Sequence, residues 1–208
     1  MGSKVYLAGA IRGLVGEEAR IATIVERVGP DAVGLSVSRE GMEAMKAQNM
    51  KSSDAKPTNT EERVYIRGLS KYGKVLKPPP CFSGARQSAI AAGIPAVPLD
   101  MSDEHYSAAY CKYISTWDMM RQGRSDKLFM RYKFKAETPE EFVIEWDRLV
   151  NRLDGYRMLE MARERWFAKG IVRLSEKYGR PLVVVEHERI AGVTRQLREM
   201  GCEFEIVH

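Results

Sequence analysis

An α/β fold is predicted for this chain of 208 residues by three observations. Short apolar runs recur along it. Helical periodicity fills the stretches between them. Glycine or proline punctuates the junctions. Together they imply a mostly parallel or mixed sheet of about five strands flanked by helices, with a helical excursion.

Val5-Tyr6-Leu7-Ala8-Gly9-Ala10 is an apolar run bounded by a turn, the pattern of a buried strand. Over 16–28, Ile21, Ile24, Val25 and Val28 fall at i, i+3, i+4 and i+7, and Gly29-Pro30 stops the helix. A second strand at 32–37 completes a strand–helix–strand unit, which implies parallel pairing and a right-handed crossover. A short helix follows at 39–46. Residues 49–59 are polar and read as an exposed loop. A helix at 61–72 sets Tyr65, Leu69 and Tyr72 on one face. Pro78-Pro79-Pro80 reads as extended and non-helical. A small-residue helix at 83–92 ends at Gly93, and a third strand at 96–99 closes on Asp100.

Ser102 caps the next helix, whose stripe is Tyr106, Ala109, Tyr110, Tyr113, Ile114 and Trp117. Met130-Arg131-Tyr132-Lys133-Phe134-Lys135 alternates strictly, which predicts a strand with one basic face. Thr138-Pro139-Glu140-Glu141 combines a cap, a first-position proline and a glutamate three after the cap. It opens a helix to about 153, and a second runs on to 177 past Asp154-Gly155. The clearest strand is 182–185. A helix at 190–200 and an edge strand at 202–207 complete the chain. The whole reads as one domain, 1–208, with an exposed excursion at 46–82 and a mainly helical insertion or cover at 102–178.

Hydrophobic residues make up 44% and charged residues 29%, enough to bury a core. No apolar run approaches the roughly 18 residues of a membrane span, so no membrane association is expected. The N-terminus leads straight into the first strand, and no signal peptide is expected. Three widely spaced cysteines, Cys81, Cys111 and Cys202, predict neither a disulfide framework nor a zinc knuckle, and imply a reducing cytoplasm. The net charge of +5 permits an anionic partner without requiring one.

In open α/β sheets, ligands bind beyond the carboxyl ends of the parallel strands. Those ends deliver Arg12, then Ser36, Ser38 and Arg39, then Asp100, then Glu186, His187, Glu188 and Arg189. Such a rim would hold an anion on its arginines or a cation on its carboxylates; alternatively these groups pair with one another in a salt-bridge network. Gly9, Gly13 and Gly16 open the first helix. Their spacing is neither of the two familiar phosphate-loop patterns, so a tight strand-to-helix turn is expected over a phosphate site.

At these residues the chain resembles the TraB/pheromone-shutdown family, related to the Tiki proteases. Val5 through Arg12 is similar to the family's opening of apolar strand, glycine, two residues and histidine. The likeness continues through Pro30-Asp31-Ala32-Val33-Gly34-Leu35, the stretch 84–100, Arg157 with Met161-Ala162, and Val183-Val184-Val185 to Gly192-Val193. The departures fall on polar positions. Arg12 and Arg189 stand where the family has histidines. Ser36 replaces a glutamate. Tyr156 and Met158 replace the acidic residues beside Arg157. Asp100 and Arg157 remain. The resemblance thus implies loss of the metallohydrolase site of the Tiki branch, because guanidinium has no lone pair for a metal. It implies instead an anion pocket of Arg12, Arg157 and Arg189, since guanidinium binds carboxylate or phosphate with paired N–H groups.

Other features compete. Glu186 and Glu188 flank His187, but strand alternation keeps the imidazole off their face, and no metal is expected. The basic segment from Arg121 to Lys135 alternates its aromatics away from its charges, unlike a nucleic-acid platform, and nucleic acid is not expected. Trp117, Trp146 and Trp166 fall at helical spacing and read as packing anchors. The first expectation is a TraB-like protein that binds a small anionic ligand or a protein partner through Arg12, Arg39, Arg157 and Arg189, with no cofactor. The second is a hydrolase or transferase acting on a phosphorylated or carboxylated substrate, with Asp100 or Glu188 as base. A weaker third is a nucleic-acid-binding accessory. The 140–178 helical region is a candidate homodimer interface.

Overall fold

The structure, a computed structural model, describes residues 3–47 and 53–208. Five strands, β1 (Val5–Ala10), β2 (Ala32–Leu35), β5 (Ala96–Pro98), β6 (Pro181–Glu186) and β7 (Phe204–Val207), form one all-parallel sheet in the order β5-β2-β6-β1-β7. The α/β expectation is met, with one correction. β1 and β2 do not pair; β6 lies between them, with Leu7 opposite Val183 and Val33 opposite Leu182. All six residues of β6 are buried. A run that is apolar on both faces is most stable at the centre of a sheet, and β6 takes that place although it comes late in the chain.

Helices cover both faces. On one side α1 (Glu17–Val28), α2 (Arg39–Ala47) and α4 (Pro80–Ala91) pack Ile21, Ile24, Met42, Phe82 and Ala85 against Ala8, Val33, Leu182 and Val184. On the other, α9 (Asp154–Lys177) and α10 (Ile190–Glu199) bring Phe167, Ile171, Val193 and Leu197 onto Leu7, Val183 and Val185. The period of two in β6 thus feeds Leu182 and Val184 to one core and Val183 and Val185 to the other.

A third core stands at the carboxyl end of β1. Here α3 (Thr60–Leu69), α7 (Asp126–Arg131) and α8 (Pro139–Val150) enclose Ile11, Leu14, Leu69, Phe129, Phe142 and Trp146. The hairpin of β3 (Ser53–Asp54) and β4 (Leu76–Lys77), with a bridge from Leu14 to Val75, stitches this cap to β1. Gly13, at φ 108°, makes the turn that sends the chain from β1 into the cap; a side chain there would be strained.

Several expectations change. The 130–135 strand is absent: α7 ends at Arg131 and the rest is extended without a ladder partner. Its alternation is real but serves another purpose. Tyr132 and Phe134 turn onto the cap, with ring centroids 5.0 Å apart and Phe134 4.9 Å from Phe142, while Arg131, Lys133 and Lys135 face solvent. The third proline of the triplet is not outside the helix but its first residue, where a missing N–H costs nothing. The helix expected over 102–117 splits into α5 (Asp103–Tyr113) and α6 (Thr116–Gly123), because Ser115 and Asp118 form a capping box. Trp117 is no packing anchor: it is 61% exposed, whereas Trp146 is buried. The expected 49–59 loop lies partly outside the described residues, and Ser53 and Asp54 within it are strand. Among the described residues no helix is long and apolar enough to cross a membrane.

Candidate functional site

The carboxyl ends of the strands do form a charged rim. Ser36 follows directly on β2, and its Oγ donates to Oε2 of Glu186 at the end of β6, 2.5 Å away. Both are buried. Asp100, two residues past β5, accepts from Arg163 of α9 at 2.6 Å, and the same guanidinium reaches Glu160 at 2.9 Å. The 3-10 turn His187–Arg189 follows β6 and drives Arg189 inward. Arg189 is buried and pairs with Asp147 of α8 and, at 3.4 Å each, with Glu160 and Glu164 of α9. Desolvation and then the nearby charge of Arg12 lower its pKa to about 10, with Asp100 acting the other way.

The arginine that α9 brings to Asp100 is therefore Arg163, not Arg157. Arg157 sits at the exposed start of α9, paired with Asp154. The sequence offers two registers six residues apart, Arg157 with Met161-Ala162 and Arg163 with Phe167-Ala168. Burial separates them: Phe167 and Ala168 are 0% exposed and Met161 is 49% exposed. An apolar count along α9 was the one signal able to find Arg163 in advance.

The glycine turn after β1 does not hold an anion. The buried Glu17 carboxylate already occupies it, accepting from the Ile11 N–H at 2.7 Å and from Arg20. His187 is turned against Gly9, where an added Cβ would come within 3.0 Å of Nδ1. Burial lowers its pKa. Among the described residues no group of three or more histidine, cysteine, aspartate and glutamate side chains is arranged to hold a metal ion.

Three clefts surround the network and divide the candidates. Arg39 and Asp100 line one of about 570 Å³, beside Trp166 and Arg173. Arg157, Arg189 and Glu188 line one of about 750 Å³ between α8, α9 and α10. Arg12 lines the third, of about 590 Å³, with Tyr65, Ile66, Lys77, Pro79 and Trp146. Its floor is aromatic because α3 and α8 meet there, Tyr65 and Trp146 lying 5.9 Å apart.

Arg12 differs from Arg163 and Arg189, and shares with Arg39 a cleft position without an ion pair among the described residues. Its guanidinium lies over the Tyr65 ring, 5.8 Å from the centroid, and the Tyr65 hydroxyl donates to the Arg12 carbonyl at 2.8 Å. Desolvation on its inner side works against the charge, but the fields of Tyr65, Glu186 and Glu188 raise its pKa overall. Lys77 faces the same space, and desolvation together with Arg12 lowers its pKa.

Glu188 is the unsatisfied member. Its Oε2 is buried and has no hydrogen-bond partner. Burial and then Glu186 push its pKa up to about 7, against Arg12. Glu164 also rises to about 7, chiefly by burial. The rim thus combines a free guanidinium over an aromatic floor, two locked arginines, and a carboxyl that exchanges a proton near neutrality. No protein-family model and no curated protein matches this chain.

Proposed function

We propose that the chain is a TraB-like protein that binds a small anionic ligand at the carboxyl end of the parallel sheet, with Arg12 as the holding cation. One observation carries the reading: of the four arginines at the rim, Arg163 and Arg189 are consumed by carboxylates, Arg39 and Arg12 face clefts without an ion pair among the described residues, and of these two Arg12 lies over an aromatic ring. A guanidinium so placed offers paired donors to a carboxylate or phosphate. The walls of Tyr65, Trp146, Ile66 and Pro79 favour an anion with a flat apolar body. The equivalence of Arg12 and Arg189 to the family's histidines is supported by their places after the adjacent strands β1 and β6.

Calorimetric titration with 1-naphthoate, and with inorganic phosphate for comparison, tests the proposal. Binding should weaken at least tenfold in Arg12→Ala, the loss of one charge-assisted pair, and hold in Arg157→Ala. Equal binding by Arg12→Ala would reject it.

A second reading is an enzyme acting on a carboxylated or phosphorylated substrate. The unpartnered Oε2 of Glu188 favours it, because a carboxyl titrating near neutrality suits a general acid or base. Turnover of ester or phosphate-ester analogues, lost in Glu188→Gln, would support it. The exposed Trp117, Met120, Met158 and Met161 supply apolar surface for self-association, which light scattering tests directly. The free thiols of Cys81, Cys111 and Cys202 suit a reducing cytoplasm.

A further inference from the structure

We infer that the cleft between α2, α5 and α9 is a second binding site, distinct from that of Arg12, and that it takes a nucleoside phosphate. The cleft holds about 570 Å³, the size of a small-molecule pocket, and opens beyond the carboxyl ends of β2 and β5. After β2 the chain enters α2, whose Met42 and Met45 pack on one face of the sheet. After β5 it enters α5, which packs on α9 at the other face. Two paired strands that send their chains to opposite faces leave a crevice between them, and open parallel sheets bind ligands in such crevices.

One stripe of α9 forms the wall. Trp166, Gly170, Arg173 and Lys177 fall at i, i+4, i+7 and i+11, and all four line the cleft. Gly170 brings the helix close to the end of β5: a Cβ there would come within 3.3 Å of the Leu99 side chain. Arg39, the first residue of α2, lines the same cleft from the β2 side.

The cations gather toward one end of this wall. Arg39, Arg173 and Lys177 are exposed, and among the described residues none of them forms an ion pair. Lys177 lies instead over the Tyr178 ring, 5.3 Å from its centroid. Three cations from two elements suit a group with more than one negative charge, and a phosphate monoester carries about −1.5 to −2 at pH 7. Farther up the stripe, about 10 Å from Arg173 along the helix axis, Trp166 packs on His105 of α5 with ring centroids 4.6 Å apart. Ser102, the cap of α5, holds the imidazole through Nδ1 at 2.7 Å. An aromatic pair set apart from the cations offers a stacking surface for a base.

The carboxylates select a nucleotide over a simpler anion. Glu40 and Glu104 also line the cleft and would repel a bare phosphate. Both accept hydrogen bonds, and ribose hydroxyls or an exocyclic amine supply the donors. Asp100 is already held by Arg163 and answers to neither. A ligand with phosphate at one end and hydrogen-bond donors along its body satisfies both signs of charge.

The test is calorimetric titration of the whole chain with AMP, UMP, adenosine and inorganic phosphate. A nucleotide should bind, with adenosine and phosphate each at least tenfold weaker. Arg39→Ala and Arg173→Ala remove exposed side chains, and each should weaken nucleotide binding at least tenfold. Trp166→Ala should weaken it at least fivefold, and Trp166→Phe, which keeps a ring, should retain most of it. Arg12→Ala should bind the nucleotide as the parent does. Loss in Arg12→Ala with retention in Arg39→Ala would place the nucleotide in the Arg12 cleft and overturn the second site. Full binding by the Arg39→Ala/Arg173→Ala double variant also overturns it, as does phosphate binding as tightly as AMP, or no heat with either nucleotide. Failure here leaves 1-naphthoate binding at Arg12 untouched, so the two sites stand or fall separately.

Discussion

Arg163 Nη2 lies 2.6 Å from Asp100 Oδ2, across 63 residues of chain, and this contact joins the edge strand's end to the middle of α9. Both side chains are largely withdrawn from water, at 18% and 14% exposure. Glu160 completes the pair from one turn earlier on α9. Removing the guanidinium would leave two half-buried carboxylates side by side. Arg163→Ala is expected to lose about 3–5 kcal/mol by urea unfolding. Arg157→Ala, whose partner Asp154 is exposed, is expected to stay within about 0.5 kcal/mol of the parent. Equal costs for the two would mean that the α9 register is misread.

Glu188 has a pH signature of its own. Its carboxyl pKa in the folded chain is raised to about 7 from 4.5. A raised acid opposes folding when ionised. The penalty is absent below the unfolded value, grows between the two pKa values as pH rises, and is complete above about 7. Glu188→Gln is therefore expected to be more stable than the parent at pH 8, by about 3 kcal/mol, and no more stable at pH 4.5. Melting curves at the two pH values decide it, and a gain of equal size at both would remove titration as the cause.

Gly192 makes room for Glu164. A Cβ at 192 would fall 2.0 Å from the carboxyl carbon of Glu164. That carboxylate is buried and holds both Arg189 and Arg195, so it cannot swing aside without breaking ion pairs. Gly192→Ala is expected to cost about 1–3 kcal/mol. The cost should shrink in a Glu164→Ala background, a non-additivity that a double-mutant cycle measures.

Phe142 is the pivot of the cap. It is 1% exposed and packs on Tyr65, Tyr72 and Phe134 at centroid distances of 5.7, 6.1 and 4.9 Å. Phe142→Ala is expected to lose about 3–5 kcal/mol. It should also weaken 1-naphthoate binding at Arg12, because Tyr65 would lose the wall that fixes its ring. Unchanged affinity would show that the cleft does not depend on the cap's packing.

Local pattern carried much of the architecture. The continuous apolar run of β6, the 3.6-residue stripe of α1 and the cap at Thr138 each depend on neighbours within a few residues, so they were readable directly. Arg12, Asp100 and Arg189 were placed at strand ends by the same means. The segment 130–135 misled because alternation reports two environments, not a ladder partner. The order of the sheet, with β6 between β1 and β2, was equally invisible, since strand neighbours are chosen by burial across the whole core.

What the sequence by itself determined is the set of elements and the residues at their ends, because hydrogen bonding along helices and periodic burial are local. Only the tertiary structure decided which charges meet. Arg163 rather than Arg157 reaches Asp100, Arg189 is locked among three carboxylates, Arg12 stacks on Tyr65, and the buried Oε2 of Glu188 is left without a partner. Ion pairing depends on distances of a few ångströms between segments far apart in the chain, and desolvation depends on everything packed around them. Neither quantity exists until the chain has folded.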